Sequence, residues 1–129
     1  MDAYHFSTML KSGFDDAISR VTDALKSEGF GILTEIDVGE TLKKKLGVEF
    51  RRYRILGACN PGFAYKALQA EDKIGTMLPC NVVVQQRDDG MVEVSAVDPV
   101  ASMAAIHNPA LGTIAGEVQS RLKRVIASL

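Results

Sequence analysis

The sequence predicts an α+β fold, a mainly antiparallel sheet of five strands with helices on one side and a long C-terminal helix. Three observations carry this. Segments that alternate with period two are interleaved with segments of helical period, so the chain is neither all-helical nor all-strand. The stretch "NVVVQQRDDGMVEVSAV" reads as two strands joined by a tight turn at Asp88 to Gly90, which forces an antiparallel pair. No strand-to-helix turn contains G-x-G-x-x-G or a P-loop, so the nucleotide-binding form of a doubly wound sheet lacks its signature. A flavodoxin-like α/β arrangement is the alternative, because helices separate the first four strands.

Strand one is "AYHFSTML", where Tyr4, Phe6 and Thr8 alternate with His5, Ser7 and Met9. The first helix sets Phe14, Ile18, Val21 and Leu25 on one stripe, opens with Ser12 three residues before Asp15, and closes at Gly29. Strand two, "FGILTEIDV", places Ile32, Thr34 and Ile36 on one face and Leu33, Glu35 and Asp37 on the other. Asp37, with Glu40 three residues on, then caps a short helix ending at Gly47. In strand three, Tyr53, Ile55, Gly57 and Cys59 point one way and Arg52, Arg54, Leu56 and Ala58 the other, which puts Cys59 on the more apolar face.

Asn60 followed by Pro61 pairs an N-cap residue with a proline suited to the first helical position, and opens a third helix predicted to run to about Lys73. Pro79 suits the first residue of a strand or an edge position, since it donates no ladder hydrogen bond. The Asn60-Pro61 signal recurs as Asp98-Pro99 and Asn108-Pro109, each opening a helix. The last helix carries Leu111, Ile114, Val118, Leu122 and Val125 on one stripe and gathers Arg121, Lys123 and Arg124 toward its C-terminal end, where positive charge suits the helix dipole. Asp37, Asn60, Asp98 and Asn108 are therefore read as structural caps, each worth about 1 kcal/mol.

A chain of 129 residues, with no repeat and no linker, is expected to form one domain over residues 1–129. Fifteen basic and sixteen acidic side chains give a net charge of -1, so no global field draws it to nucleic acid or to an anionic membrane. The N-terminal stretch lacks a basic start followed by a signal-length apolar run, and no apolar run reaches the length of a membrane span; a cytoplasmic protein is expected.

The strings "GFGILTEIDVGETLKKKLG", "YRILGACNPGFAYKAL", "MLPCNVVV" and "VDP" resemble, in order and spacing, the bacterial and archaeal domain-of-unknown-function family 302. The resemblance spans nearly the whole chain. It implies a TATA-binding-protein-like fold with a curved antiparallel sheet, and it supplies no catalytic residue.

The candidate site residues are Cys59, Cys80 and Glu35. Both cysteines fall in phase with apolar residues, Cys59 with Ile55 and Cys80 with Val82 and Val84, and they meet if strands three and four are neighbours. Cys59 also precedes a helix N-terminus, a position that favours a thiolate; the opposing view is that a free cysteine packs as a small hydrophobe. Glu35 and Asp37 lie two apart on one strand face as a possible carboxylate pair for proton transfer, but Asp37 is explained as a cap and Glu35 alone of the two lacks a structural task, unless Arg52 or Arg54 pairs with it. His5 and His107 lack ligand spacing to either cysteine, so no metal site is assigned. The basic run from Lys43 to Arg54 reads as a solvated face, not a nucleic-acid stripe.

Three functions compete: a module binding a small ligand in a pocket near Cys59, Cys80 and Glu35; a thiol-dependent redox or metal-handling protein with Cys59 reactive and Cys80 resolving; and a homodimer using an exposed sheet face. No motif assigns a reaction or a cofactor.

Overall fold

The computed structural model, which describes residues 3–129, runs β1 (His5–Leu10), α1 (Phe14–Ser27), β2 (Gly31–Asp37), α2 (Val38–Leu46), β3 (Tyr53–Cys59), α3 (Pro61–Ala70), a 3-10 turn (Ile74–Met77), β4 (Cys80–Gln86), β5 (Val92–Val97), the single turn α4 (Pro99–Ser102) and α5 (Pro109–Ala127). The strands form one curved sheet in the order β1-β5-β4-β3-β2. Every neighbouring pair is antiparallel, which excludes the flavodoxin-like alternative.

One face of the sheet carries Leu56, Val82, Val84, Val92, Val94 and Ala96, and it packs against Phe14, Ala17, Val21 and Leu25 of α1 and Val118, Leu122 and Val125 of α5. Each fully buried valine or leucine contributes roughly 1.5–3 kcal/mol, so this layer is the main source of stability. The opposite face bears the cross-strand row Ile36, Ile55, Val83, Ser95 and Ser7, with Ser7 and Ser95 sharing a 2.7 Å hydrogen bond.

The ends of the helices follow local chemistry. Helix α1 terminates where the Gly29 N–H reaches the Lys26 carbonyl and the Phe30 N–H reaches that of Leu25, a closure that needs the left-handed backbone of Gly29, φ 86°. At its start Ser12 does not cap; Gly13 holds the N-cap position, and the Ser12 hydroxyl turns to the Gly13 carbonyl. Asp37 accepts from the Glu40 N–H, Asp98 from those of Val100 and Ala101, and Asn108 from that of Ala110.

Three expectations are corrected by the packing. Helix α3 stops at Ala70, short of Lys73, and the chain turns through the 3-10 segment. Pro79 stands directly before Cys80, the first residue of β4, the start-of-strand position of the two it suited, and β4 itself is central. A bulge between Ile32 and Thr34 shifts the phase of β2: Ile32 pairs with Ala58 on the helix side, while Thr34 and Ile36 pair with Gly57 and Ile55 on the open side. The face of β3 that meets the helices is that of Leu56 and Ala58, not that of Ile55 and Cys59. Arg54 can occupy this face because its guanidinium lies over the Phe14 ring, 5.6 Å from the centroid, and pairs with Asp37.

Candidate functional site: an apolar cavity beside two cysteines

At the end of the sheet where β3 runs out and β4 begins, the layers part. A second, smaller cluster of Ala67, Ile74 and Leu111, flanked by Leu78, Met103 and Ile106, packs beside the main core. Ile114 packs against both clusters. Between them lies a cavity of about 320 Å³, within the range of roughly 300–1,000 Å³ typical of ligand sites.

The walls of this cavity come from distant parts of the chain: Phe30 and Leu33 before and in β2, Ala58 and Cys59 at the end of β3, one side of α3, the Leu78–Cys80 segment, and Leu111 to Val118 of α5. Among the described residues no aspartate, glutamate, lysine, arginine or histidine lines it; Asn60, Cys59 and Cys80 are the lining residues that carry a carboxamide or a thiol. Leu33 and Leu68, both largely exposed, stand at its rim.

Cys59 and Cys80 thus share one wall, but they do not face each other across a ladder. Cys80 pairs with Ala58, one residue out of phase with Cys59. Cys59 is half-buried and Cys80 buried, and both are free thiols. Burial pushes the Cys80 thiol up to about 11, and the neighbouring Cys59 adds to the rise, so at neutral pH Cys80 is a neutral, weakly nucleophilic thiol.

Glu35 does not join the cysteines. It is exposed on edge strand β2, opposite Leu56, and lies outside the cavity wall. Arg54 reaches Asp37 at 3.5 Å and Arg52 reaches Asp15 at 2.9 Å, so neither arginine is its ion-pair partner.

Asn60 occupies the N-cap position of α3 without capping it. Its Nδ2 donates to the Glu28 carbonyl at 3.4 Å, the same oxygen that accepts from Arg121 Nη1 at 3.2 Å. Glu28 in turn accepts from Arg124 Nε and Nη2 at 3.1 and 3.0 Å, and this contact holds its carboxyl below the ordinary range. The junction of α1, α3 and α5 is therefore a polar seam beside an apolar chamber. Only the asparagine followed by a proline signalled it in the sequence; the cavity itself arises from segments with no common motif.

The remaining sequence candidates lie elsewhere. His5 donates to or accepts from Ser7 on the open face, and His107 is exposed ahead of α5. Among the described residues no three His, Cys, Asp or Glu side chains are grouped as metal ligands would be. The basic run from Lys43 to Arg54 is largely engaged within the fold. Lys43 lies 3.9 Å from Glu49, Arg51 stacks over Phe50 at 4.4 Å and donates to Gln85, and Arg52 lies 4.3 Å over the Phe14 ring. Among the described residues no helix is long and apolar enough to cross a membrane.

The family model described as "Domain of unknown function DUF302" matches residues 6–129. The chain is also similar to a solved structure, the crystal structure of the uncharacterized conserved protein DUF302 from Bacillus stearothermophilus. The TM-score is 0.90 at 31% identity, covering 98% of this chain and 98% of that one. No curated protein matches the chain.

Proposed function

Starting from a chain that belongs to the DUF302 family, which carries no assigned activity, we propose that this protein is a binding module for a small apolar ligand held in the cavity between α3, α5 and the β3–β4 end of the sheet. The observation that carries the reading is the composition of the wall: mainly apolar residues from separate elements surround about 320 Å³ of space, with Asn60, Cys59 and Cys80 the exceptions. Wall residues that cannot close on one another leave apolar area for an occupant to cover, and the exposed Leu33 and Leu68 extend that area to the surface.

The competing redox reading has less support. A resolving cysteine must attack as a thiolate, and burial keeps Cys80 protonated until about pH 11. The binding reading gives the thiols a passive task, as small polarizable wall groups. It requires no nucleic acid, membrane or metal.

Binding of naphthalene tests the proposal. Saturable binding that is lost when Ala115→Leu fills the chamber supports it, and binding indifferent to that substitution places the probe elsewhere. Ala115 is buried on α5 and lines the cavity, so its enlargement projects three carbons into the space.

A further inference from the structure

Among the described residues every buried side-chain nitrogen and oxygen finds a hydrogen-bond partner except one, Nε of Arg121. This arginine adjoins the cavity, and the inference drawn from it rests on the binding reading above. We propose that the occupant is an apolar molecule ending in one carboxylate, with its body in the chamber and its carboxylate on the Arg121 guanidinium, where it displaces the side chain of Glu117.

Arg121 belongs to the cavity side of α5. It follows the wall residues Val118 by three positions and Ile114 by seven; seven residues are two turns less about 20°, so Ile114 and Arg121 leave the helix in nearly the same direction. A helical side chain leans toward the amino end of its helix, which for Arg121 is the direction of Val118 and the chamber. Two further wall residues adjoin the guanidinium. Its Cζ lies 5.2 Å from the centroid of the Phe63 ring, and its Nη1 donates at 3.2 Å to the Glu28 carbonyl that also accepts from Asn60 Nδ2.

The bonding of Arg121 is incomplete on one edge. Nη1 is used, but Glu117 Oε1 stands 3.6 Å from Nε, an ion pair too long for a hydrogen bond. A buried N–H of a cation without an acceptor forfeits a charge-assisted bond, the stronger kind. The Nε and Nη2 edge of a guanidinium matches the two oxygens of a carboxylate, so a carboxylate is the head group that completes it. Neighbouring charges favour the same sign: Lys66 Nζ lies 5.8 Å from the centroid of the Phe63 ring, and Arg124 is already held by Glu28 at 3.0 Å. Glu117 is the rival carboxylate. Nε is covered, so the ligand reaches it as the half-exposed Glu117 turns out to solvent. The apolar wall sets the rest of the molecule: about 320 Å³ is roughly twice the ~150 Å³ that accommodates benzene, room for a body of about ten carbon atoms.

The test measures equilibrium dialysis of naphthalene, 2-naphthylacetate and its uncharged isostere 2-naphthylacetamide against the full chain at neutral pH. The acetate should bind about tenfold tighter than the acetamide, the gain of a charge-assisted bond over a neutral one. Arg121→Met keeps an apolar stem against Phe63 and removes the guanidinium, so the ratio of the two affinities should fall to about one. Glu117→Gln changes one half-exposed side chain and removes the rival charge, so the ratio should rise about threefold; this arm stands even if Arg121→Met does not fold. Ala115→Leu should abolish binding of both compounds. An acetate no tighter than the acetamide, a preference that survives Arg121→Met, a ratio indifferent to Glu117→Gln, or acetate binding that survives Ala115→Leu would each overturn the inference. Saturable naphthalene binding lost in Ala115→Leu would leave the cavity reading standing in every such case, whereas failure of all three compounds to bind overturns both.

Discussion

Cys80 is paired across the sheet with Ala58 and not with Cys59, so the two cysteines stand on adjoining strands one residue out of phase and both still belong to the wall of one cavity. Their environments differ accordingly: Cys59 is half-buried, Cys80 buried. Alkylation of the native protein should therefore modify Cys59 first. Raising a thiol from its ordinary value to about 11 removes roughly two decades of thiolate at neutral pH, so Cys80 should react about 100-fold more slowly than in the unfolded chain. Peptide mapping after timed iodoacetamide treatment reads both rates; equal labelling of the two sites under native conditions would contradict the burial argument.

The same thiol makes stability depend on alkaline pH. Cys80 is raised in the folded state, so the unfolded chain loses its proton first as pH climbs. Between the ordinary thiol value and about 11 the unfolded state binds fewer protons, and stability falls with rising pH, by at most about 1.4 kcal/mol per unit for a single group. Below the ordinary thiol value the contribution is fully present. Urea midpoints from pH 8 to 11 should fall more steeply for the native sequence than for Cys80→Ala, a comparison that cancels the ionisable groups the two chains share. Parallel curves would remove Cys80 from the account.

The edge strand carries a packing constraint on Gly57. A Cβ at this position would meet the Thr34 hydroxyl and would stand 2.8 Å from Cγ of Pro79. Gly57→Ala should destabilise the protein by roughly 1–3 kcal/mol, the usual cost of overpacking. Thr34→Ala should recover part of that loss in the double variant, since it clears one of the two obstacles and leaves the proline; a double-mutant cycle in urea measures the coupling, and strict additivity would show that Thr34 is not the obstacle.

How far the sequence revealed this arrangement depends on the range of the interaction involved. Asp37, Asp98 and Asn108 bond to N–H groups two or three residues away, so their spacing to the next helix was sufficient information. Asn60 has the same spacing, but its amide is taken by Glu28, thirty-two residues back, which no local pattern records. Alternation in β3 gave the right two phases without telling which one meets the helices. Tyr53 and Ile55 outweighed Arg54 in apolar character, and only the stack of Arg54 on Phe14 explains why an arginine lies on the buried side. The bulge before Thr34 is likewise a property of the β2–β3 pairing, and with it went the expected phase of the Ile32, Thr34 and Ile36 set. Glu35 keeps its alternation with Asp37, yet it sits on an edge strand beyond the cavity wall. The cavity was least legible of all, because its walls converge only after the sheet, α3 and α5 are in place.

Asp98 ties that convergence to stability. It is the one buried charged residue among the described residues, and Oδ1 accepts from the N–H groups of Val100 and Ala101 and from Nε2 of Gln119 on α5. One carboxylate therefore starts α4 and clamps it to the long helix, and α4 with the residue after it brings Pro99 and Met103 to the cavity wall. Asp98→Ala removes a cap worth about 1 kcal/mol and leaves the Gln119 amide without its partner, for a total loss of about 2–4 kcal/mol. Asp98→Asn keeps an acceptor for the helix N–H groups and should cost about half as much, since the charge-assisted part of the bonds is lost. Naphthalene affinity should fall in the same order, because a loosened α4 no longer holds that side of the chamber. Chemical denaturation and dialysis on the two variants check both halves. A stability loss with unchanged affinity in Asp98→Ala would show that the chamber does not depend on α4.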